Sequence, residues 1–430
     1  MNRTSLPARL LDQPSDAGTA SSRNPSGTAT TTATTAWASA ATPTVIVDET
    51  PGSTDTGLAQ KCAAAGRAGT HATNTATMTT MRRTLLTVTI ALGWLVAAAT
   101  PAAAHSVSGV GATNYQTRLN AITPEVPGVE MRVIETGSRF ELTNTTGQDI
   151  IVLGYQDEPY LQVGPDGVFE NRRSPAVYLN ASRQGDTAVP GSADPDADAD
   201  WHKTSDGHVS RWHDHRIHWM GNQDPPQVRD DPGRTHVVIP EWTITMRMGD
   251  QTIEATGDLV WVPGPSPVPW LVLAAALAAG VALLAVTPVW ARALAVVLAA
   301  AAVIDIIHAV GIGWAKAGGV GTKVGQLASG SFYALVAWIA AGIGVWLLAR
   351  RKPEGLLAAG FAGAFITLFG GIVDFSDLTR SQVPFAWSAT LARLLVAASL
   401  GIGVGLVIAA VLGVRRYPIA RPIPDPAPAD

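Results

Sequence analysis

Hydrophobic and polar positions alternate in the first well-patterned part of the chain. Val129-Glu130-Met131-Arg132-Val133 and Arg139-Phe140-Glu141-Leu142 place apolar side chains two apart, the period of a half-buried strand. Ile150-Ile151-Val152-Leu153 is the short continuous run of a strand covered on both faces. Turn-forming residues separate these runs at Glu135-Thr136-Gly137-Ser138, Thr146-Gly147-Gln148 and Gly164-Pro165-Asp166-Gly167. Further strands are predicted at 235–239, 242–248 and 251–262, the last two joined at Gly249-Asp250. Short strands with frequent turns predict an antiparallel β-sandwich over residues 105–262, long enough to hold a core. Residues 180–232 carry little pattern and read as a long, partly irregular insertion.

Beyond a stiff connector over 263–269, with Pro263, Pro265, Pro267 and Pro269, the pattern changes to long apolar stretches. Those at 270–287, 291–314, 330–349, 355–375 and 388–414 approach or exceed the ~20 residues that cross a bilayer, predicting a five-helix transmembrane bundle over 270–414. Placing the sandwich outside puts Arg292, Arg350, Arg351, Lys352, Arg415, Arg416 and Arg421 on the inner face. Only Lys316, Lys323 and Arg380 then fall in outer loops. Trp270, Trp290, Trp314, Trp346 and Trp387 fall near span ends, where an indole is half solvated. The expected arrangement is a multi-pass plasma-membrane protein with an extracytoplasmic N-terminal domain and a cytoplasmic tail over 415–430, proline-rich from 418.

Upstream, residues 1–80 are a low-complexity leader rich in Ala, Thr, Ser and Gly, a composition unable to bury a core. Residues 81–104 have the order of a signal peptide: Arg82-Arg83, an apolar run over 85–99, then Ala102-Ala103-Ala104. Translation from Met78 or Met81 would leave the leader unused, and cleavage after Ala104 would expose His105 as the N-terminus. An uncleaved anchor helix is the other reading of this segment. The only cysteine, Cys62, lies upstream of the cleavage site, so disulfides and thiolate ligands drop out of the mature chain.

Composition refines this layering. Charged residues are 15% of the chain and its net charge is −4, against a nucleic-acid-binding role. Residues 105–262 hold 23 acidic and 12 basic side chains, so the exported part attracts cations. The 25 arginines against 5 lysines, with heavy use of Ala, Gly and Val, point to a GC-rich bacterial genome.

Candidate chemistry gathers in two places. The exported part holds His105, His202, His208, His213, His215, His218 and His236, five of them within 202–218. A strand over 212–219 would project His213 and His215 from one face, a spacing that suits two imidazoles on one metal. Imidazoles without thiolate suit Cu(II), Zn or Ni, and Met246 and Met248 could add thioethers. A hydrogen-bonded structural network, with Asp206 and Asp214 accepting ring N–H groups, is the alternative, as is a pH-sensitive surface. Asp194, Asp196, Asp198 and Asp200 alternate nearby but lack the glycine and glutamate of an EF-hand, and read as a solvated acidic loop. Inside the membrane, Asp305 and His308 lie three apart on one helical face, and Asp374 and Arg393 are placed to pair. Asp305 and His308 could carry a proton or hold a cation; locking the bundle together is the alternative.

His105 after Ala104 and the tetrad Ser205-Asp206-Gly207-His208 together resemble the bacterial CopC/CopD copper-handling proteins. There, a small exported β-sandwich works beside, or is fused to, a helical membrane domain. The resemblance implies Cu(II) binding through His105, Asp206 and His208. His213, His215 and His218 have no obvious counterpart in that family. The function expected is a membrane-anchored extracytoplasmic protein that binds a divalent metal, copper before zinc. A non-enzymatic envelope interaction protein, with a protein partner in the envelope, is the competing class. A metal-dependent enzyme is a third, for which no nucleophile–base constellation is visible.

Overall fold

The computed structural model describes residues 111–182 and 185–418. The leader, the signal segment, His105 and Arg421 lie outside the described residues. From Tyr115 to Trp261 the described chain forms ten strands: β1 (Tyr115–Thr123), β2 (Val129–Ile134), β3 (Arg139–Asn144), β4 (Ile150–Leu153), β5 (Pro159–Gly164), β6 (Gly167–Asn171), β7 (Trp201–Ser205), β8 (Val209–His213), β9 (His236–Met248) and β10 (Gln251–Trp261). Two short helices interrupt them, α1 (Pro175–Leu179) and α2 (Pro226–Asp230). All pairing is antiparallel, in a seven-stranded sheet ordered β1-β10-β9-β4-β5-β6-β7 and a three-stranded sheet ordered β2-β3-β8.

One apolar core joins the two sheets. Phe140 and Leu142 of β3 and Trp212 of β8 come from the smaller sheet; Val152, Trp242, Ile244, Met246 and Ile253 come from the larger. Phe140 meets Trp212 at 5.6 Å and Trp242 edge-on at 5.3 Å between ring centroids. Burying each such side chain contributes about 1.5–3 kcal/mol, which suffices to hold a domain of this size without disulfides.

Alternation marks β2 and β3, the continuous apolar run marks β4, and turn residues mark the hairpins at 164–167 and 249–250. Alternation divided what is one strand, β9, at Pro240. Gly257 pairs with Trp242 and Leu259 with Ile239, so Pro240 and Glu241 together face Asp258. This bulge lets a proline, which cannot donate to the ladder, stay inside a continuous strand. Residues 180–232 are partly irregular, and β7 and β8 lie within them. β7 is an edge strand exposed along nearly its whole length, so it lacks the buried positions that alternation would reveal.

The helical part begins with α3 (Val268–Leu284) and continues through α4 (Trp290–Ala315), α5 (Val320–Gly330), α6 (Phe332–Ala349), α7 (Glu354–Thr367) and α8 (Ala389–Arg416). Four runs among the described residues are long and apolar enough to cross a bilayer: Trp290–Ala315, Phe332–Ala349, Glu354–Ile372 and Ala389–Arg416. Exposed apolar side chains such as Val296, Val303, Leu335 and Ile339 cover their outward faces, as a lipid solvent requires. The predicted first span is a shorter apolar helix of 17 residues, about 25 Å at 1.5 Å per residue. The predicted 355–375 span leaves α-geometry early. A π-turn over Leu368–Ile372 extends α7, and a 3₁₀ turn follows at Phe375–Leu378. The short helix α5, between the second and third predicted spans, was not anticipated.

Glycines on α8 admit its neighbours. A Cβ on Gly401 would meet the Ala274 backbone of α3, and one on Gly403 would lie 2.6 Å from the Gly363 carbonyl of α7. Without strong hydrophobic driving force between helices in lipid, such close approach supplies much of the packing. In the loop before α8, Gln382 forms an antiparallel bridge with Thr113, their N–H groups donating at 2.8 and 3.0 Å. Ser381 N–H donates to Asn114 Oδ1 at 2.9 Å, so this loop is stitched to the chain leading into β1.

Replacing Gly403 by leucine should force α7 and α8 apart. The expected outcome is a marked fall in the temperature at which detergent-solubilised protein aggregates. Val404→Leu, on the exposed side of the same helix, should leave that temperature nearly unchanged.

Candidate metal centre

Three imidazoles come together because β8 ends where it does. In β8, Ser210 and Trp212 enter the core, so His213 faces away from it. The chain then abandons the sheet: Asp214 caps a single 3₁₀ turn, His215–Ile217, and His218 resumes extended geometry. Ile217 is fully buried and its carbonyl accepts from Thr117 Oγ1 at 3.0 Å, which fastens the end of the turn to β1. A strand running on over 212–219 is therefore not formed, because β8 stops at His213. The turn, rather than a period of two, gathers His213, His215 and His218.

The carboxylate that caps the turn is solvent-free. Asp214 Oδ1 accepts from Arg216 N–H at 3.1 Å and from Arg216 Nε at 2.9 Å. Its Oδ2 accepts from Arg216 Nη2 at 2.8 Å and from Trp212 Nε1 at 3.1 Å. Burial opposes the Arg216 charge, yet the bonds and charge of Asp214 hold its pKa above the ordinary guanidinium value. Arg216 also lies over the Tyr155 ring, 5.1 Å from its centroid. Tyr155 Oη accepts from His215 N–H at 3.1 Å and donates to Asn180 Oδ1 at 2.5 Å. Burial, then the nearby Asp214 charge, push the Tyr155 phenol well above its ordinary range, keeping it neutral.

One ligand nitrogen from each of His213, His215 and His218 lies within 4.8 Å of the others. Ring centroids are 4.5 Å apart for His213–His218, 5.1 Å for His213–His215 and 5.4 Å for His215–His218. His218 is buried and the other two are half-buried. His213 Nε2 and His218 Nε2 stand 2.6 Å apart, a separation that requires a proton between them. His215 Nε2 lies 2.9 Å from the Ser182 carbonyl and His218 Nδ1 lies 3.5 Å from that of Trp219. A carbonyl accepts only from N–H, so the Ser182 contact leaves Nδ1 of a neutral His215 as its lone-pair donor. Two nitrogens at 2.0–2.1 Å from a tetrahedral ion would stand about 3.3 Å apart, so binding need part the close pair by less than an ångström. A cavity of about 620 Å³ opens beside His218, lined also by Tyr115, Trp219, Met220, Asp224 and Arg229. It gives an ion and its remaining ligand a way in.

Other predicted residues are placed elsewhere. Asp206 and His208 occupy the exposed turn that precedes β8, whereas the triad follows its end, about 16 Å away along five extended residues. Lys203 pairs with Asp206 at 2.6 Å and holds its carboxyl below the usual range; His208 Nδ1 lies 3.1 Å from the Gly164 carbonyl. Asp214 serves Arg216 and Trp212, and carbonyls rather than Asp206 meet the rings. Met246 is fully buried in the core opposite Ile253, and Met248 packs against that core. The carboxylates of 194–200 are exposed, as expected of a solvated loop. Ser182, Tyr155 and Met220 were not found by sequence reasoning, since only folding brings them to the triad. The histidine density of 213–218 was the usable signal.

Within the helices, Asp305 and His308 are buried on one face of α4. Trp338 Nε1 donates to Asp305 Oδ2 at 2.7 Å. The expected Asp374–Arg393 pair is replaced by other partners. Asp374 Oδ2 lies 3.9 Å from His308 Nδ1, and Arg393 donates to the carbonyls of Asp377 at 3.0 Å and Arg380 at 2.7 Å. The early end of α7 turns Asp374 toward α4 instead of α8.

Asp214→Ala should cost about 3–5 kcal/mol by stranding the Arg216 charge, and should disorder the triad. Thermal unfolding followed by near-ultraviolet circular dichroism checks the first effect. An Asp214→Ala/Arg216→Leu variant that recovers part of the stability without recovering metal binding checks the second. Comparison of the chain with family models, with characterised proteins and with solved structures found no match, so function is read from these residues themselves.

Proposed function

We propose that this chain is a membrane-anchored extracytoplasmic protein that binds a divalent metal, Cu(II) before Zn(II), at His213, His215 and His218. The convergence of three imidazole nitrogens within 4.8 Å carries the reading. An all-imidazole donor set without thiolate suits Cu(II) or Zn(II). The acidic balance of residues 105–262 concentrates cations at the domain. Carbonyls of Ser182 and Trp219 orient two of the rings from behind, as outer partners do in stable metal sites.

In this reading the two sheets form a β-sandwich outside the plasma membrane. Val268–Leu284 joins the four longer helices as a fifth span, and the arginine-rich loops face the cytoplasm. Copper handling of the CopC/CopD kind is supported by the layering of an exported β region before a helical membrane part. Asp206 and His208 stand apart from the triad, so the copper proposal rests on the triad and not on that tetrad. If cleavage exposes His105, its α-amine and imidazole form a separate donor pair.

Purified full-length protein in detergent, titrated with Cu(II) and with Zn(II), should bind one ion per chain. His213→Ala/His215→Ala should abolish that binding; equal affinity in the two proteins would overturn the proposal. Binding displaces the proton held between His213 and His218 and needs neutral rings, so acidification opposes it. Affinity should fall on acidification, because a protonated ring has no lone pair to give the metal. A calorimetric titration series in buffers of different ionisation enthalpy would count the released protons.

A further inference from the structure

A second polar cluster lies inside the helical part, at a site unrelated to the histidine triad. Asp305 and His308 of α4 are 4% and 2% exposed, and both point among helices rather than to lipid. Trp338 reaches Asp305 from α6, Asp374 reaches His308 from the segment after α7, and α8 contributes Ser399. A Cβ on Gly370 would strike Asp305 Oδ1 and lie 3.3 Å from Ser399 Oγ, so the π-turn admits the carboxylate only because residue 370 is glycine. Two atoms here are buried with no hydrogen-bond partner, His308 Nε2 and Ser399 Oγ. Buried polar atoms are nearly always satisfied, so a pair of orphans in one cluster points to a guest.

The guest is small. His308 and Asp374 are separated by 3.9 Å, a gap that a proton relayed through one water can cross. Among the described residues, the metal-ligand convergence seen at the triad does not recur at this cluster. The nearby guanidinium is already engaged, since Arg393 is tied to the carbonyls of Asp377 and Arg380. No cation among these contacts neutralises Asp305 or Asp374, and the buried Asp377 carboxylate, whose charge acts on Asp374 and on Arg393, adds a third acidic group to the cluster.

A cavity of about 300 Å³ lies where the β region meets the helices, lined by Glu135, Lys316, Trp314 and Phe385. Phe385 is 8% exposed, sits over Gly311 where any side chain would collide, and lies 6.0 Å from the His308 ring. It separates the cavity from the imidazole. Beyond Asp305, toward the opposite end of α4, the buried positions are Ala301, Leu298, Ala295 and Leu294, which cannot pass a proton.

We propose that Asp305, His308 and Asp374 form a one-sided intramembrane proton-binding site, loaded from the junction cavity past Phe385. In the loading step a hydronium ion in the cavity gives its proton to the His308–Asp374 pair and leaves as water. The proton then passes to Asp305, whose other oxygen keeps the Trp338 bond. Full-length protein in nanodiscs tests this by infrared difference spectroscopy between alkaline and acidic pH. A protonated-carboxyl band should appear in the native protein, and Asp305→Asn and Asp374→Asn should each remove part of it. Spectra identical in all three proteins would overturn the proposal. Diethylpyrocarbonate labelling, mapped by mass spectrometry, supplies a measurement that does not depend on those variants. His308 should react several-fold faster in Phe385→Ala than in native protein, and equal rates would overturn the assigned route.

Discussion

A carboxylate without solvent access, Asp214, sets the course of the chain after β8, and the candidate metal centre exists only on that course. Its two oxygens accept four bonds from Trp212 and Arg216, the residues two before and two after it. Removing a charge from water costs several kcal/mol, and only such saturation offsets it. The cost is met on the short path between a strand end and His218, leaving the three rings free of that task. Had residues 212–219 stayed extended, His218 would have pointed to the opposite face from His213. One tight turn thus substitutes for the sequence motif that metal centres usually display.

The helical part works under a different constraint, since lipid cannot satisfy polar groups and every one must find an internal partner. Glycines at 363, 401 and 403 answer it with close packing, and Gly370 answers it by making room for Asp305. Arg393 meets it with the backbone carbonyls of Asp377 and Arg380, beside the Asp377 charge rather than that of Asp374. That choice leaves Asp374 to His308 and concentrates the uncompensated polarity around α4. The π-turn and the early end of α7 are the geometric expression of the same redistribution.

Much of the architecture was legible because its causes are local. Period-two patterning marks β2 and β3, and long apolar runs mark α4, α6 and α8, whatever their neighbours do. Edge strands such as β7 were hidden, since solvent on both sides erases the alternation. Pro240 misled for the opposite reason: a bulge absorbed a residue that ordinarily ends a strand. At the candidate metal centre, the histidines were conspicuous but their grouping was not, because it depends on a turn that buries Ile217. Asp206-Gly207-His208 looked as suggestive as His213 and His215, and only the length of β8 tells them apart. In the membrane, the charges were legible and their pairing was not, since partners are set by where α7 stops.

The bridge between Thr113 and Gln382 has a consequence for how the molecule can be divided. Two backbone bonds and the Asn114–Ser381 contact cross from the entrance of β1 to the loop that precedes α8, some 268 residues later in the chain. Sequence order puts a boundary at the prolines after Trp261, and these hydrogen bonds span it. Cutting at those prolines would leave the entrance of β1 with bare donors and acceptors along the rim of a seven-stranded sheet, an invitation to strand exchange between molecules. Among the described residues, the entrance of β1 therefore depends on the loop before α8 as much as on β10.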